Sequence, residues 1–304
     1  MTTEFRSGFV SLIGRPNAGK STLLNALVGQ KVAIVADKPQ TTRTSIQGVL
    51  TLPEAQIVFA DTPGIHKADT PLNKRLMDTV RGALEERDLL LFVADATRKF
   101  NEDDRRAIDI ARRHKTPVVL VLNKIDLLKD KAHLLPLIEE YKAVFEFAEY
   151  VPVSSVKKIG LDQLRAVILK YLPAGPAYFP EDYVTDQPER FLASELIREK
   201  VLLATRQEVP HAVAVTVDRW EETPKITRIY ATIHLERDGQ KAIVIGSGGS
   251  MLKQIGTQAR QEMERLFEAK IYLDLHVHVQ PGWRQNRAFL NALDWRTMTG
   301  EDDA

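Results

Sequence analysis

The 304-residue chain contains no cysteine. That excludes disulfides, thiolate metal sites and cysteine nucleophiles, and it suits a reducing cytoplasm. Long apolar runs are missing too. The longest, such as Leu89 to Ala94 and Val118 to Leu122, are too short to span a bilayer and instead suit strands buried on both faces of a parallel sheet. Met1 to Gly8 holds no cationic segment leading into an apolar core, so no secretory leader is expected. Charge of one sign is also scarce. The net charge of +1 divides into 26 Lys and Arg against 21 Asp and Glu up to residue 175, and 16 against 20 beyond it. No strongly polybasic surface follows. Apolar content of 44% and charged content of 27% are those of a soluble globular protein, and the length suggests two domains.

What is present centres on Gly14-Arg15-Pro16-Asn17-Ala18-Gly19-Lys20-Ser21. An apolar β-rich segment precedes it, and an amphipathic helix beginning Thr22-Leu23-Leu24 follows. Strand, Gly-rich turn, Lys-Ser and helix is the arrangement a phosphate-binding loop requires. Its glycines let successive backbone N–H groups point at a polyphosphate. Lys20 would reach the β- and γ-phosphates and Ser21 would ligate Mg²⁺, with the helix N-terminus adding its dipole. The residues expected to cradle the nucleotide here are Gly14, Asn17, Ala18, Gly19, Lys20, Ser21 and Thr22. By itself the loop specifies a nucleoside triphosphate, not which base.

Up to about residue 172, apolar strand-like segments alternate with helical patterns. This predicts a doubly wound, mostly parallel α/β sheet with ligands at the carboxyl ends of its strands. Asp61-Thr62-Pro63-Gly64 ends one such strand. Asp61 can hold Mg²⁺ through water, and Gly64 can bring a backbone N–H to the γ-phosphate. Asn123-Lys124-Ile125-Asp126 ends another. The Asp126 carboxylate can accept from both N1–H and the 2-amino group of guanine, a donor pair that adenine lacks. Asn123 would brace the loop and the Lys124 stem would cover the base. Ser154-Ser155-Val156 leaves a further strand and fits a loop closing over the guanine carbonyl through main-chain N–H groups. In the polar loop Gln30 to Ser45, a threonine can complete the Mg²⁺ shell only when the γ-phosphate is present, as in an order–disorder switch. Thr42 is preferred over Thr41. Lys20, Thr42, Asp61 and Gly64 are thus the candidate catalytic residues, and Ser21, Thr42 and Asp61 the candidate metal ligands.

With these motifs in one order, the first half resembles the translation-factor-like GTPases. Signalling GTPases carry a water-orienting glutamine just after the Gly of the Asp-x-x-Gly motif, where this chain has Ile65. Slow unassisted turnover is therefore expected. Asn17 resembles the asparagine that lets some members of the class use K⁺ in place of an arginine finger.

Pro173-Ala174-Gly175-Pro176 and the acidic, Pro-containing stretch to Pro188 read as a linker, placing a GTPase domain at 1–175, the linker at 176–188 and a second domain with a C-terminal tail at 189–304. A helix is predicted over Glu189 to Arg206, then strands over Pro210 to Val217 and Ile226 to Leu235. An Asp238-Gly239 hairpin turn is expected to lead into a strand, Gln240 to Ile245. Gly246-Ser247-Gly248-Gly249 follows, before a helix over Met251 to Phe267 and a last strand, Ile271 to Val279. A Gly-x-x-Gly loop at such a junction is what a KH domain uses to clamp a single-stranded backbone. His276 and His278 share one strand face and, with no third ligand evident, are expected to face solvent. Trp283, with Arg284 and Arg287, is open to either RNA stacking or core packing.

Taken whole, the chain resembles the Era family of bacterial GTPases. The likeness rests on Gln40-Thr41-Thr42-Arg43, Ile197-Arg198-Glu199-Lys200, Gln207-Glu208-Val209-Pro210-His211, and Ile245-Gly246-x-Gly248-Gly249 running on through Leu252-Lys253-Gln254-Ile255-Gly256. The resemblance implies a GTPase domain followed by a smaller α+β, type II KH-like domain. It implies a GTP- and Mg²⁺-dependent factor for assembly of the 30S ribosomal subunit, in which Gly246, Ser247, Gly248, Gly249, Lys253 and Arg260 bind the single-stranded 3′ end of 16S rRNA. It also implies peripheral association at the inner membrane, and a cytoplasmic, monomeric protein is expected. The chain departs from the family at Ser247, commonly Lys, and at His276 to Pro281, often lysine-rich. Each lost cation removes a phosphate contact, so a shallow salt dependence of RNA binding is expected. Two other readings stay open. One is an RNA chaperone in which GTP is only structural. The other is a tRNA-modifying GTPase, disfavoured because that family uses a C-terminal cysteine motif.

Overall fold

The computed structural model describes residues 4–38, 40–65, 71–205, 209 and 212–295. It divides into two compact units. The first runs to Ala33, resumes at Thr42 and includes Asn73–Asp186; the second contains Ile34–Thr41 and everything from Gln187.

Among the described residues the first unit is built on a six-stranded sheet: β1 (Arg6–Ile13), β2 (Ile46–Leu52), β3 (Ala55–Asp61), β4 (Leu89–Asp95), β5 (Val118–Asn123) and β6 (Glu149–Pro152). Its order is β2-β3-β1-β4-β5-β6. Only β2 runs antiparallel, to β3. This is the doubly wound sheet expected from the alternating pattern. The period of two along each strand decides which layer a side chain enters. Leu89, Leu91 and Val93 join Val119 and Val121 beneath α1 (Lys20–Val28) and α5 (Leu161–Tyr171). Leu90, Phe92 and Ala94 join Leu120 and Leu122 on the opposite face, beneath α2 (Pro71–Gly82), α3 (Glu102–Ala111) and α4 (Leu134–Lys142). Strands buried on both faces have no polar side to show, hence their continuous apolar runs.

The stretch expected to be a linker is instead pinned to this unit. Gln56 is fully buried in β3, and its Oε1 accepts the N–H groups of Tyr178 (2.7 Å) and Phe179 (2.9 Å). Farther along, Val49 N–H donates to Val184 O (2.8 Å) and the Thr185 hydroxyl to Gln47 O (2.8 Å). The change of unit therefore falls at Gln187, near the end of the acidic stretch.

In the second unit, α6 (Glu189–Ala204) is followed by β7 (Ala214–Glu222), β8 (Thr227–Leu235), α7 (Asp238–Ile245), α8 (Ser250–Leu266), β9 (Ile271–Val279) and α9 (Arg287–Ala292). The sheet order is β7-β8-β9, with β7 antiparallel and β9 parallel to β8. Leu196, Ile197 and Val201 of α6 and Ile255, Ala259 and Met263 of α8 pack with Ile229, Ile233 and Val277 of the sheet. Helix α6 also buries charge. Arg198 bonds Glu195 Oε2 (2.6 Å) and donates to the carbonyl of Thr41, while Glu199 accepts the N–H of Val35 (2.7 Å). The described part of the motif from Gln207 to His211 is Val209 alone, and it is buried. Arg206 and Pro210, at the expected element ends, also lie outside the described residues.

A second expectation fails. Residues Asp238–Ile245 form helix α7, not a hairpin turn and strand. Gln240 Oε1 accepts the N–H groups of Glu236 (3.0 Å) and Arg237 (3.1 Å), satisfying donors that a helix start leaves open. The apolar run Ala242 to Ile245 is too short for its period to separate helix from strand. Only Val244 in it is fully buried, and Ile243 is exposed. The Gly-x-x-Gly loop thus joins two helices.

Candidate functional site

The first-unit candidates other than Thr42 follow the carboxyl ends of strands, where a doubly wound sheet places its ligand; Thr42 precedes β2, whose antiparallel course sets its first residue, Ile46, opposite Asp61 at the end of β3. The phosphate loop follows β1. Gly19, at the start of α1, has φ 94°, and a Cβ there would come within 2.4 Å of Asn123 Nδ2; only glycine meets both demands. Lys20 is buried (6% exposed), and its ammonium donates to Gly14 O (3.1 Å) and Arg15 O (3.2 Å). Burial pushes its pKa down to about 8, against the opposing charge of Asp61. Ala18, within the loop, is fully buried, and Thr22 lies half-buried in the first turn of α1.

Ser21, Thr42 and Asp61 meet at one point. Ser21 Oγ donates to Asp61 Oδ2 (2.6 Å), Thr42 Oγ1 reaches the same oxygen (3.2 Å), and the two hydroxyls are 2.8 Å apart. Asp61 Oδ1 is buried with no hydrogen-bond partner among the described residues. Burial raises the Asp61 pKa, opposed by Lys20 and the two hydroxyls. Three hard oxygen ligands, one oxygen orphaned, and a lysine alongside make a donor set that fits a divalent cation with a polyphosphate. Thr41, the alternative to Thr42, turns its hydroxyl to Lys38 O (2.7 Å) instead. Gly64 closes on the phosphate loop: a Cβ there would sit 2.8 Å from Pro16 Cα. Ile65 is buried in the apolar layer.

The base-recognition residues form a second cluster. Asn123 Nδ2 donates to Ala18 O (3.0 Å), while its Oδ1 accepts from Ser155 twice, from N–H (3.1 Å) and from Oγ (2.9 Å). Ser154 Oγ donates to Asp126 Oδ1 (2.6 Å), and Asp126 is itself exposed, open to a base. Val156 is 70% exposed. Lys124 Nζ donates to Asn17 O (2.7 Å) and to Asp95 Oδ2 (2.8 Å). Sequence reasoning missed Asp95. The available signal was its position: an acid ending the apolar strand β4, at the same sheet edge as Asp61 and Asn123.

In the second unit, Gly246, Gly248 and Gly249 take left-handed backbone angles around the exposed Ser247. Beyond the loop, Leu252, Lys253, Thr257, Arg260 and Leu275 line a groove of about 370 Å³. Lys253 is exposed, whereas Arg260 is bound by both oxygens of Glu264 (2.8 Å each). Trp283 is not at this surface. It is fully buried, with Nε1 donating to Ala212 O (3.0 Å). Arg284 pairs with Glu236. His276 and His278 are exposed on β9 as expected, and no group of three or more His, Cys, Asp or Glu side chains gathers to hold a metal ion among the described residues.

Two family models match this chain: a 50S ribosome-binding GTPase over residues 9–124 and a KH domain over residues 208–284. The chain is 48% identical over 295 residues to the GTPase Era of Nostoc sp., covering 96% of this chain and 90% of that protein. It belongs to the Era family of GTPases. A solved structure of an Era point variant from Aquifex aeolicus, bound to GDP·AlF₄⁻, matches with a TM-score of 0.92 at 40% identity, covering 96% of this chain and 99% of that one. A structure of Era in complex with MgGDPNP and nucleotides 1506–1542 of 16S ribosomal RNA matches with a TM-score of 0.93, at the same identity and coverage. Era-family membership makes this chain a GTPase with a C-terminal KH domain. Among its described residues no helix is long and apolar enough to cross a membrane.

Proposed function

We propose that the chain binds GTP between the phosphate loop and the Asn123 to Asp126 motif and hydrolyses it. We propose further that its KH groove holds the single-stranded 3′ end of 16S rRNA during 30S subunit assembly. The meeting of Ser21, Thr42 and Asp61 beside Lys20 carries the first part of this reading. Lys20 leaves the loop carbonyls for the β- and γ-phosphates, and the Gly64 N–H faces the γ-phosphate as water attacks in line. Mg²⁺, held by Ser21, Thr42 and Asp61, neutralises charge on the β- and γ-oxygens when bound. Asp126 and the Ser154 to Val156 main chain select guanine. No side chain is assigned as general base. Ile65, buried and without an amide, supports slow turnover, with intrinsic rates on the order of 10⁻⁴ s⁻¹. Asn17 is the candidate K⁺ ligand.

For RNA, the loop Gly246 to Gly249 with Lys253 and Arg260 supplies the backbone clamp. The relative that holds nucleotides 1506–1542 of 16S rRNA supports this target. The 30S subunit as partner and peripheral contact with the inner membrane are carried over from the resemblance, and a cytoplasmic, monomeric protein is proposed with them. The test is binding of labelled single-stranded RNA of the 16S 3′ end with GTP analogue, GDP or no nucleotide. Tight binding only with the analogue supports RNA target and coupling together; binding indifferent to nucleotide rejects the coupling, and absence of binding in every state rejects the RNA role. Single-turnover hydrolysis then separates this reading from one in which GTP is only a structural ligand, the alternative that Ile65 leaves open.

A further inference from the structure

The phosphate loop is held from behind by two carboxylates outside the nucleotide motifs. Asp95 ends β4 and is 3% exposed. Its Oδ1 accepts the N–H (3.0 Å) and hydroxyl (2.6 Å) of Thr97. Its Oδ2 takes the Lys124 ammonium at 2.8 Å, with the largely exposed Arg98 farther off at 3.8 Å. That ammonium also donates to Asn17 O. Both ends of the Lys124–Asn17 bond have left-handed backbone, Lys124 at φ 67° and Asn17 at φ 60°, a region costly for lysine and tolerated by asparagine. The strand ends are tied as well, Ala96 N–H donating to Asn123 O at 2.9 Å. Two residues before Asn17, the buried Arg15 donates to Asp104 Oδ2 at 2.9 Å. Asp104, fully buried in the first turn of α3, also accepts the Asn101 N–H at 3.2 Å.

We propose that Asp95 is a positioning residue for the guanine nucleotide. Its carboxylate fixes Lys124 against Asn17 O, while Asp104 anchors Arg15, so the loop arm Arg15–Asn17 is in its binding shape before the nucleotide arrives. A lysine held in that left-handed conformation is stabilised by the charge-assisted bond at its end. Asp95 holds it without touching the ligand, and preorganisation of this kind appears as slower ligand release. Burial works against the charged form of Asp95, but its hydrogen bonds from Lys124 and Thr97 outweigh it and hold the carboxyl below its ordinary range.

This inference rests on the guanine-site reading above, and the two fail separately. The experiment follows dissociation of fluorescent GDP from the full chain and from Asp95→Asn, Lys124→Met, the double variant and Thr97→Val. Asp95→Asn should release GDP at least about tenfold faster, as expected for loss of a hydrogen bond to a charged group. In steady state the rise in KM for GTP should exceed the fall in kcat. The double variant should release GDP no more than about twofold faster than Lys124→Met alone, because both act through one bond. Thr97→Val keeps the charge and the main-chain N–H bond but removes the hydroxyl bond to the carboxylate, so a smaller rise is expected, readable even where Asp95→Asn folds poorly. Parental release rates in both Asp95→Asn and Thr97→Val, or factors that multiply in the double variant, overturn the role of Asp95. A parent chain that does not bind GDP overturns the guanine-site reading itself.

Discussion

Ser21 Oγ and Asp61 Oδ2 lie 2.6 Å apart, while the other oxygen of Asp61 is buried without a hydrogen bond among the described residues. An acid left half-satisfied in the interior is unfavourable for folding. Asp61→Asn should therefore separate function from stability. Mg²⁺-dependent GTP hydrolysis should fall about 100-fold or more, and the nucleotide-free Tm should stay level or rise. A parallel loss of Tm would make Asp61 a structural residue.

Ser155 reinforces Asn123 through a hydroxyl bond that a smaller side chain could not make. Ser155→Ala retains the main-chain N–H bond, so GDP affinity should fall only about fivefold, the worth of one neutral hydrogen bond. Asn123→Ala strands Ala18 O and both Ser155 donors, and the loss should exceed about 30-fold. Titration calorimetry of the two variants distinguishes these cases.

Lys20, with its pKa pushed down to about 8, is partly neutral above that pH while its site is empty. A polyphosphate restores the charged form, so nucleotide binding near pH 8 should take up a proton. Affinity should be greatest below pH 8 and weaken as pH rises through it. Calorimetry in two buffers of different ionisation enthalpy measures the uptake, and Lys20→Met should abolish it. In stability, the folded pKa lies below the unfolded 10.5. The unfolded chain then holds more protons between those values, and the nucleotide-free protein should gain stability across that window as pH rises.

If Asn17 ligates K⁺, GTP hydrolysis should run faster in KCl than in NaCl at equal ionic strength. Equal rates in the two salts reject that role.

RNA binding should respond weakly to salt. Ser247 stands where a lysine would add a phosphate contact, and Arg260 is occupied by Glu264. Ser247→Lys should steepen the slope of log K against log salt by about 0.7 for a single strand. Glu264→Gln should free the Arg260 charge and tighten binding while still accepting the Ile271 N–H that Glu264 now takes at 3.2 Å. An unchanged slope in both variants would remove loop and groove from the phosphate contacts.

Nucleotide chemistry was legible because it demands particular residue types at short, fixed spacings on strand ends, and each apolar run announces its strand. Gly14 to Ser21, Asp61 to Gly64 and Asn123 to Asp126 carry that information locally, and two-sided burial of β3, β4 and β5 makes their order readable. Where the local signal was weak, so was the reading: four apolar residues after Gln240–Lys241 fit a strand as well as the last turns of α7. What tertiary structure alone decided is the pairing of distant groups. Asp95 and Lys124, Arg15 and Asp104, and Gln56 and the stretch at Tyr178 are each far apart in sequence. Whether a charge or amide is exposed or buried with a partner depends on which strands and helices come to lie beside it. No periodicity within either segment encodes that neighbour.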